Sequence, residues 1–261
     1  MENLRKYGKT PYKIAVIHGG PGAPGEMAPV ARELASEWGV LEPLQTADAL
    51  EGQVAELKSV LDDNADLPVT LVGYSWGAWL SFIIAARYPS LVKKLILVSS
   101  GPFEAKYAGS IMKTRLDRLG DEERKEVLSI TEALNDLDNE KGNMTIGRFG
   151  QLISKVDSFN PVPHKDEVLE VRYRIFKSVW NDAEKLRSSG KLLQLAEQIQ
   201  CPITALHGDY DPHPAEGVEK PLSKRLNDFR FMLLKNCGHT PWIERQARDE
   251  FFRILAEELK T

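Results

Sequence analysis

The sequence predicts an α/β fold: a mostly parallel sheet covered on both faces and shortened at its N-terminal edge, with a block of helices inserted late in the chain. Three observations lead there. Apolar strand-like runs alternate with helical periodicity across residues 12–98, the pattern of strand–helix–strand crossovers. Residues 102–198 then carry charged, helical patterning without a convincing buried strand, and two apolar strand runs return at 203–206 and 231–234. With 261 residues, 42% apolar and 28% charged, the chain can bury a sizeable core.

The elements follow in order. Tyr12–Ile17 is a short apolar strand, followed by a glycine–proline loop and a helix near residues 27–36 that puts Val30, Leu34 and Trp38 on one side. Val40-Leu41 begins a brief strand, residues 50–61 make a helix, 69–72 a strand, 79–87 a helix and 95–98 another strand. Runs such as Leu95-Ile96-Leu97-Val98 suit parallel strands buried on both faces. In the inserted block Val127, Ile130, Leu134 and Leu137 recur at helical spacing behind an acidic start at Asp121, Glu122 and Glu123. The last helix carries Phe251, Ile254, Leu255 and Leu259. Cys201 and Cys237 fall near the start of one late strand and just past the end of the next, which for parallel neighbours puts them beyond disulfide reach, so free thiols are expected.

Composition excludes some partners. A net charge of −4 gives no basic footprint for nucleic acid or an anionic membrane. The first residues lack the apolar core of a signal peptide, and no apolar run approaches the roughly 20 residues of a membrane span, so a cytoplasmic location is expected.

Thr70-Leu71-Val72-Gly73-Tyr74-Ser75-Trp76-Gly77-Ala78-Trp79 carries the chemistry: an apolar strand enters a Gly-x-Ser-x-Gly turn and leaves as an apolar helix. A serine hydroxyl is a weak nucleophile unless held exposed beside a base, and a strained strand-to-helix turn presents it that way. Its base and acid should then come from loops after the late strands, because functional groups collect at the carboxyl ends of parallel strands. Two loops qualify. His207-Gly208-Asp209-Tyr210-Asp211-Pro212 supplies an acid, with Asp211 preferred and Asp209 as competitor, and Cys237-Gly238-His239-Thr240-Pro241 supplies the base. His207 is read as shaping its loop, while His164 and His213 have no strand-end pattern. Acyl transfer also needs two backbone donors for the oxyanion, here the amides of Trp76 and of Gly20 in His18-Gly19-Gly20-Pro21-Gly22, since proline cannot donate.

The residues Gly20, Gly22 and Gly25 also spell Gly-x-Gly-x-x-Gly, with Glu42 at the acidic position of a dinucleotide fingerprint. That Rossmann oxidoreductase reading competes, but two prolines remove amides that would cradle a pyrophosphate. No cofactor and no metal is called for, because a zinc site would need a tighter cluster such as His-Glu-x-x-His.

Together these motifs resemble the α/β-hydrolase superfamily, which shares the chain order Ser75, Asp211, His239, and His18-Gly19-Gly20-Pro21-Gly22 with Ser75-Trp76-Gly77 is similar to its proline iminopeptidase-like branch. The resemblance implies Ser75 as nucleophile, Asp211 as acid, His239 as base, and Gly20 with Trp76 at the oxyanion. It also implies a core in two parts, 1–101 and 199–261, with 102–198 as a helical cap. The chain departs from the family in two places: only about seventeen residues precede the His-Gly loop, which shortens the sheet, and residues 41–46 replace an Asp-x-Arg-Gly-type segment. Glu167, Glu170 and Glu184 could hold a substrate ammonium or be ordinary solvated faces.

The expected function is a serine hydrolase that cleaves an ester or amide of a small molecule or short peptide through an acyl-enzyme. Esterase, aminopeptidase, thioesterase and carbon–carbon hydrolase remain open at this point. A non-catalytic binding or scaffold protein on the same fold is the competing class.

Overall fold

A computed structural model describes residues 3–134, 139–165 and 167–260. Seven strands form one sheet in the order β1-β3-β2-β4-β5-β6-β7. These are β1 (Leu4–Tyr7), β2 (Tyr12–Ile17), β3 (Gly39–Pro43), β4 (Val69–Tyr74), β5 (Val92–Val98), β6 (Ile203–Gly208) and β7 (Phe229–Leu234). All neighbours pair parallel except β1, which runs antiparallel along β3 with Leu4 opposite Pro43 and Tyr7 opposite Val40. The sheet is short at this edge, as expected, but it ends in a strand that the sequence pattern did not announce. The β1 strand is held by side chains: Tyr7 Oη donates to the fully buried Glu42 at 2.8 Å, and Arg5 lies 3.5 Å from the same carboxylate. Glu42, the acid of the dinucleotide pattern, is thereby committed to the sheet edge.

Alternation along the strands divides the core. Leu71, Leu95, Leu97 and Ala205 face one cluster with Leu57, Trp79 and Phe82, beneath α2 (Leu50–Asn64) and α3 (Trp76–Arg87). Val16, Val72, Ile96, Val98 and Leu206 face the other, with Val30 of α1 (Ala28–Leu34) and Phe251 and Ile254 of α10 (Arg248–Lys260). Neighbouring residues point to opposite faces, so a sheet covered twice needs apolar residues at every position.

Between β5 and β6 run α4 (Gly109–Arg118), α5 (Asp121–Ala133), α6 (Asn139–Asp157), α7 (Tyr173–Ser188) and α8 (Lys191–Gln194), and α9 (Glu216–Ser223) lies between β6 and β7. Helix α5 begins at Asp121 with three acidic residues in its first turn, where the helix dipole favours them. Its Val127 joins Leu119, Leu152, Ile153 and Val156 in a small core of its own, with Ile130 packed against it, whereas Leu137 lies outside the described residues. Helix α7 is stacked onto α3 through Trp180 on Trp79, ring centroids 6.0 Å apart and nearly coplanar. Among the described residues no helix is long and apolar enough to cross a membrane. Both cysteines are free thiols, Cys237 buried and Cys201 half-buried.

Candidate active site

Strand β4 delivers Ser75 at its carboxyl end. The Ser75 amide donates to the Val98 carbonyl of β5 at 2.9 Å, and the chain then turns at once into α3. This turn forces Ser75 to φ 52° and ψ −114°, a conformation that a non-glycine residue holds only when its surroundings impose it. They do so through close backbone contact. A Cβ on Gly77 would sit 2.5 Å from the His18 carbonyl oxygen, so the first turn of α3 lies directly on the end of β2. The same contact sets the loop at 18–25 beside Ser75.

The loops after β6 and β7 complete the site. His239 Nε2 lies 3.1 Å from Ser75 Oγ, and its Nδ1–H donates to Asp211 Oδ2 at 2.7 Å. Tyr74 packs against the His239 ring, centroids 5.1 Å apart, and shares a hydrogen bond of 3.0 Å with Thr240 Oγ1. Asp209 is turned elsewhere: it accepts from the Cys237 amide at 3.3 Å and lies 3.7 Å from Lys235 Nζ. Of the two candidate acids, Asp211 is the one that reaches the ring.

Asp211 is surrounded by imidazoles, which the sequence reading did not anticipate. His213 Nδ1–H donates to Asp211 Oδ1 at 2.8 Å, and the His213 amide donates to the same oxygen at 2.9 Å. The His213 ring stacks on that of His239, centroids 4.5 Å apart and 29° between planes. His207 Nε2–H donates to the His213 carbonyl at 2.8 Å and stands 3.6 Å from Asp211 Oδ2. His213, although it lacks a strand-end pattern in the sequence, thus lies at the centre of the site. The available signal was local: in Asp211-Pro212-His213 an aspartate accepts the amide two residues on, a common turn device that carries the next side chain back to the carboxylate.

These contacts explain the charge states. Burial would raise the Asp211 pKa, but His239, His213 and His207 together hold it well below the ordinary carboxylate value. Burial would lower that of His239, yet Asp211 outweighs burial and raises it. His213 goes the other way, pushed by burial down to about 4, so near neutrality it is an uncharged ring with its proton on Nδ1. Asp211, His213 and His239 also offer ligand atoms within 4.8 Å of one another. Both imidazole Nδ1 atoms are occupied as donors to the carboxylate, so a metal ion bound at those two atoms would have to displace both protons.

The expected oxyanion donors belong to two different elements. Trp76 is the first residue of α3, and the amides of a first helical turn have no partner within the helix. Gly20 takes φ +30° in the loop after β2. The rest of that loop is covered by the chain itself: Leu169 N–H donates to the Pro24 carbonyl at 2.9 Å and Arg172 N–H to the Gly22 carbonyl at 2.9 Å. Gly22 and Gly25 of the dinucleotide pattern thus lie against residues 167–172 rather than an open phosphate cradle.

A second layer joins α6 to the base loop, and no sequence motif signalled it. The His239 amide donates to the Asp157 carbonyl at 2.8 Å, and the Asp157 carboxylate takes a two-pronged ion pair from Arg115, with Nε–Oδ1 2.9 Å and Nη2–Oδ2 2.6 Å. Glu244, fully buried, accepts from the amides of Phe159 and Gly238 through Oε1 at 2.7 and 3.0 Å, and from Asn160 through Oε2 at 2.7 Å.

Comparison with known proteins agrees with this architecture. Residues 14–254 match the model of the alpha/beta hydrolase family. The chain is 26% identical to the pimeloyl-[acyl-carrier protein] methyl ester esterase of Chromobacterium violaceum, over 95% of this chain and 94% of that protein. Among solved structures, VinJ is similar with a TM-score of 0.68 at 19% identity, covering 98% of this chain and 94% of the other. The proline iminopeptidase of Mycobacterium smegmatis gives 0.65 at 17%, covering 98% and 93%. At these identities the structural likenesses establish the fold, and the iminopeptidase is one neighbour among several of similar closeness.

Proposed function

Because this chain belongs to the alpha/beta hydrolase family, and its members work by chemistry at the ends of the strands, we propose that it is a serine hydrolase that cleaves an ester of a small molecule through an acyl-enzyme. The observation that carries the reading is the continuous path from Ser75 Oγ to His239 Nε2 at 3.1 Å and from His239 Nδ1 to Asp211 at 2.7 Å. In this reading Ser75 Oγ attacks the carbonyl carbon while its proton passes to His239 Nε2. Asp211, kept ionised, stabilises the resulting imidazolium and holds the tautomer that leaves Nε2 free. The amides of Trp76 and Gly20 receive the charge that develops on the carbonyl oxygen. Collapse breaks the bond to the leaving oxygen, which takes the proton from His239, and water then repeats the sequence on the acyl-enzyme. The helices between residues 102 and 198 act as a cap that shapes the acyl and leaving-group pockets.

Two observations favour an ester over a peptide with a free amine. The cap carboxylates that could hold an ammonium already have arginine partners: Glu167 with Arg32 at 2.9 Å, Glu170 with Arg172 at 3.0 Å and Glu184 with Arg187 at 2.9 Å. The relative from Chromobacterium violaceum is, by its name, a methyl ester esterase.

The test is labelling of the intact protein with a fluorophosphonate, followed by a panel of short-chain esters, thioesters and aminoacyl arylamides. The expected result is one adduct on Ser75, absent from Ser75→Ala, and ester turnover reduced in that variant by roughly three orders of magnitude or more. No adduct, or an adduct that persists in Ser75→Ala, would instead favour a binding protein on this fold.

A further inference from the structure

The second imidazole at Asp211 has no part in the mechanism above, yet it is built into the site. His213 and His239 each donate Nδ1–H to the same carboxylate, one to each oxygen. The two rings lie 29° from parallel at a centroid distance of 4.5 Å. An imidazole whose Nδ1 is tied to the carboxylate turns its Nε2 edge away from it, and His239 turns that edge toward Ser75. His213, tied to the same carboxylate through its own Nδ1, likewise turns its Nε2 edge away from Asp211, in a ring stacked 4.5 Å from that of His239. Each of the two side chains is 11% exposed, and the hydrogen bonds described for the His213 ring are made at Nδ1. With its proton on Nδ1, its Nε2 is a lone-pair acceptor beside the atom that hands a proton to the leaving group.

We propose that His213 Nε2 is a specificity site, accepting a hydrogen bond from a hydroxyl on the leaving alcohol, so that the preferred substrates are monoesters of diols or polyols. The proposal rests on the serine hydrolase reading. Its geometry follows from the two rings. The ester oxygen must come within hydrogen-bond reach of His239 Nε2 to be protonated as it leaves. A hydroxyl on the next carbon is then carried toward the neighbouring ring. A plain alkyl alcohol cannot make that hydrogen bond and would displace the solvent that reaches the acceptor without replacing it, which penalises it. The depressed basicity of His213 keeps the acceptor uncharged at neutral pH.

The experiment compares 2-hydroxyethyl and propyl esters of one acyl group, chosen as the best cleaved in the ester panel, with the wild type, His213→Asn and His213→Phe. Asparagine retains an amide N–H where Nδ1–H meets Asp211 and lacks the outer ring edge, whereas phenylalanine lacks both. The expected result is a kcat/KM ratio, hydroxyethyl over propyl, about tenfold higher in wild type than in His213→Asn, the scale of one neutral hydrogen bond. Fluorophosphonate labelling of Ser75 in each variant reads any effect on the reacting groups through Asp211 and His239, and the ester ratio is independent of such an effect because both esters share it. An unchanged ratio overturns the proposal, as does a His213→Asn that slows both esters alike, which would mark a support for Asp211. If Ser75 labels but no ester is cleaved, this proposal alone falls. If Ser75 does not label, the hydrolase reading falls with it.

Discussion

Replacing Glu244 by glutamine tests whether the base loop is held by the inserted helices. The side chains match in volume, so packing is unchanged and only the hydrogen bonding alters. Three amides, from Phe159, Asn160 and Gly238, converge on the two oxygens of the buried carboxylate. Glutamine keeps one oxygen. Placed at the Oε1 position it still accepts from Phe159 and Gly238, but its amide nitrogen then confronts the Asn160 N–H, donor against donor. Leaving that half-buried amide facing a second donor costs about 1–3 kcal/mol, and converting the two remaining bonds from charged to neutral acceptors costs roughly another 1. The sum, about 2–4 kcal/mol, is a large share of the roughly 5–15 kcal/mol that holds a domain together. Urea unfolding reads it directly: with a slope of about 2–3 kcal/mol per molar, the midpoint should fall by about 1 M at unchanged slope. A midpoint within about 0.2 M of wild type would refute the reasoning, because it would mean that the three amides find other partners at little cost.

Two further outcomes follow from the site. Ser75→Gly should raise stability by about 1 kcal/mol while abolishing fluorophosphonate labelling, since glycine adopts φ 52° and ψ −114° without the strain that serine bears there; equal or lower stability by thermal unfolding would show that the turn is not strained. In Asp211→Asn the acid limb of kcat/KM should move to lower pH with a plateau some three to four orders of magnitude down. Activity requires neutral His239 and is lost as pH falls through its pKa. Burial pulls that pKa down and Asp211 raises it above the ordinary value, so removing the charge leaves burial to lower it. An acid limb that stays in place would assign it to another group.

The sequence spoke clearly where the physics is local. Strand β5 is legible because residues facing two different cores must all be apolar, and the elbow is legible because a Gly-x-Ser-x-Gly turn needs small residues where backbones touch. The chain order of Ser75, Asp211 and His239 followed from the rule that loops after parallel strands converge. Strand β1 was not legible: Leu4-Arg5-Lys6-Tyr7 is a short polar edge whose stability comes from Glu42, 35 residues from Tyr7. The Arg115–Asp157 pair and the Glu244 contacts span 42 and 85 residues and leave no periodicity to read. His213 lies between these cases. Its turn is written in Asp211-Pro212-His213, but its stacking on His239 depends on β6 and β7 lying side by side, which only the folded sheet supplies.

The hydrogen bond from the His239 amide to the Asp157 carbonyl bears on how such proteins can be recombined. By chain order, the block between β5 and β6 looks like a cassette that could be exchanged between relatives to graft a new preference onto an old serine. Residues 157–160 do not belong to that cassette in the energetic sense, because their carbonyl and amides form the shelf on which the base loop rests. A chimera cut at the sheet would import a foreign shelf and misplace the imidazole by whatever its new backbone differs. One that leaves 157–160 and Arg115 with the host, and exchanges the remaining helices around them, would keep the contacts that hold the His239 loop.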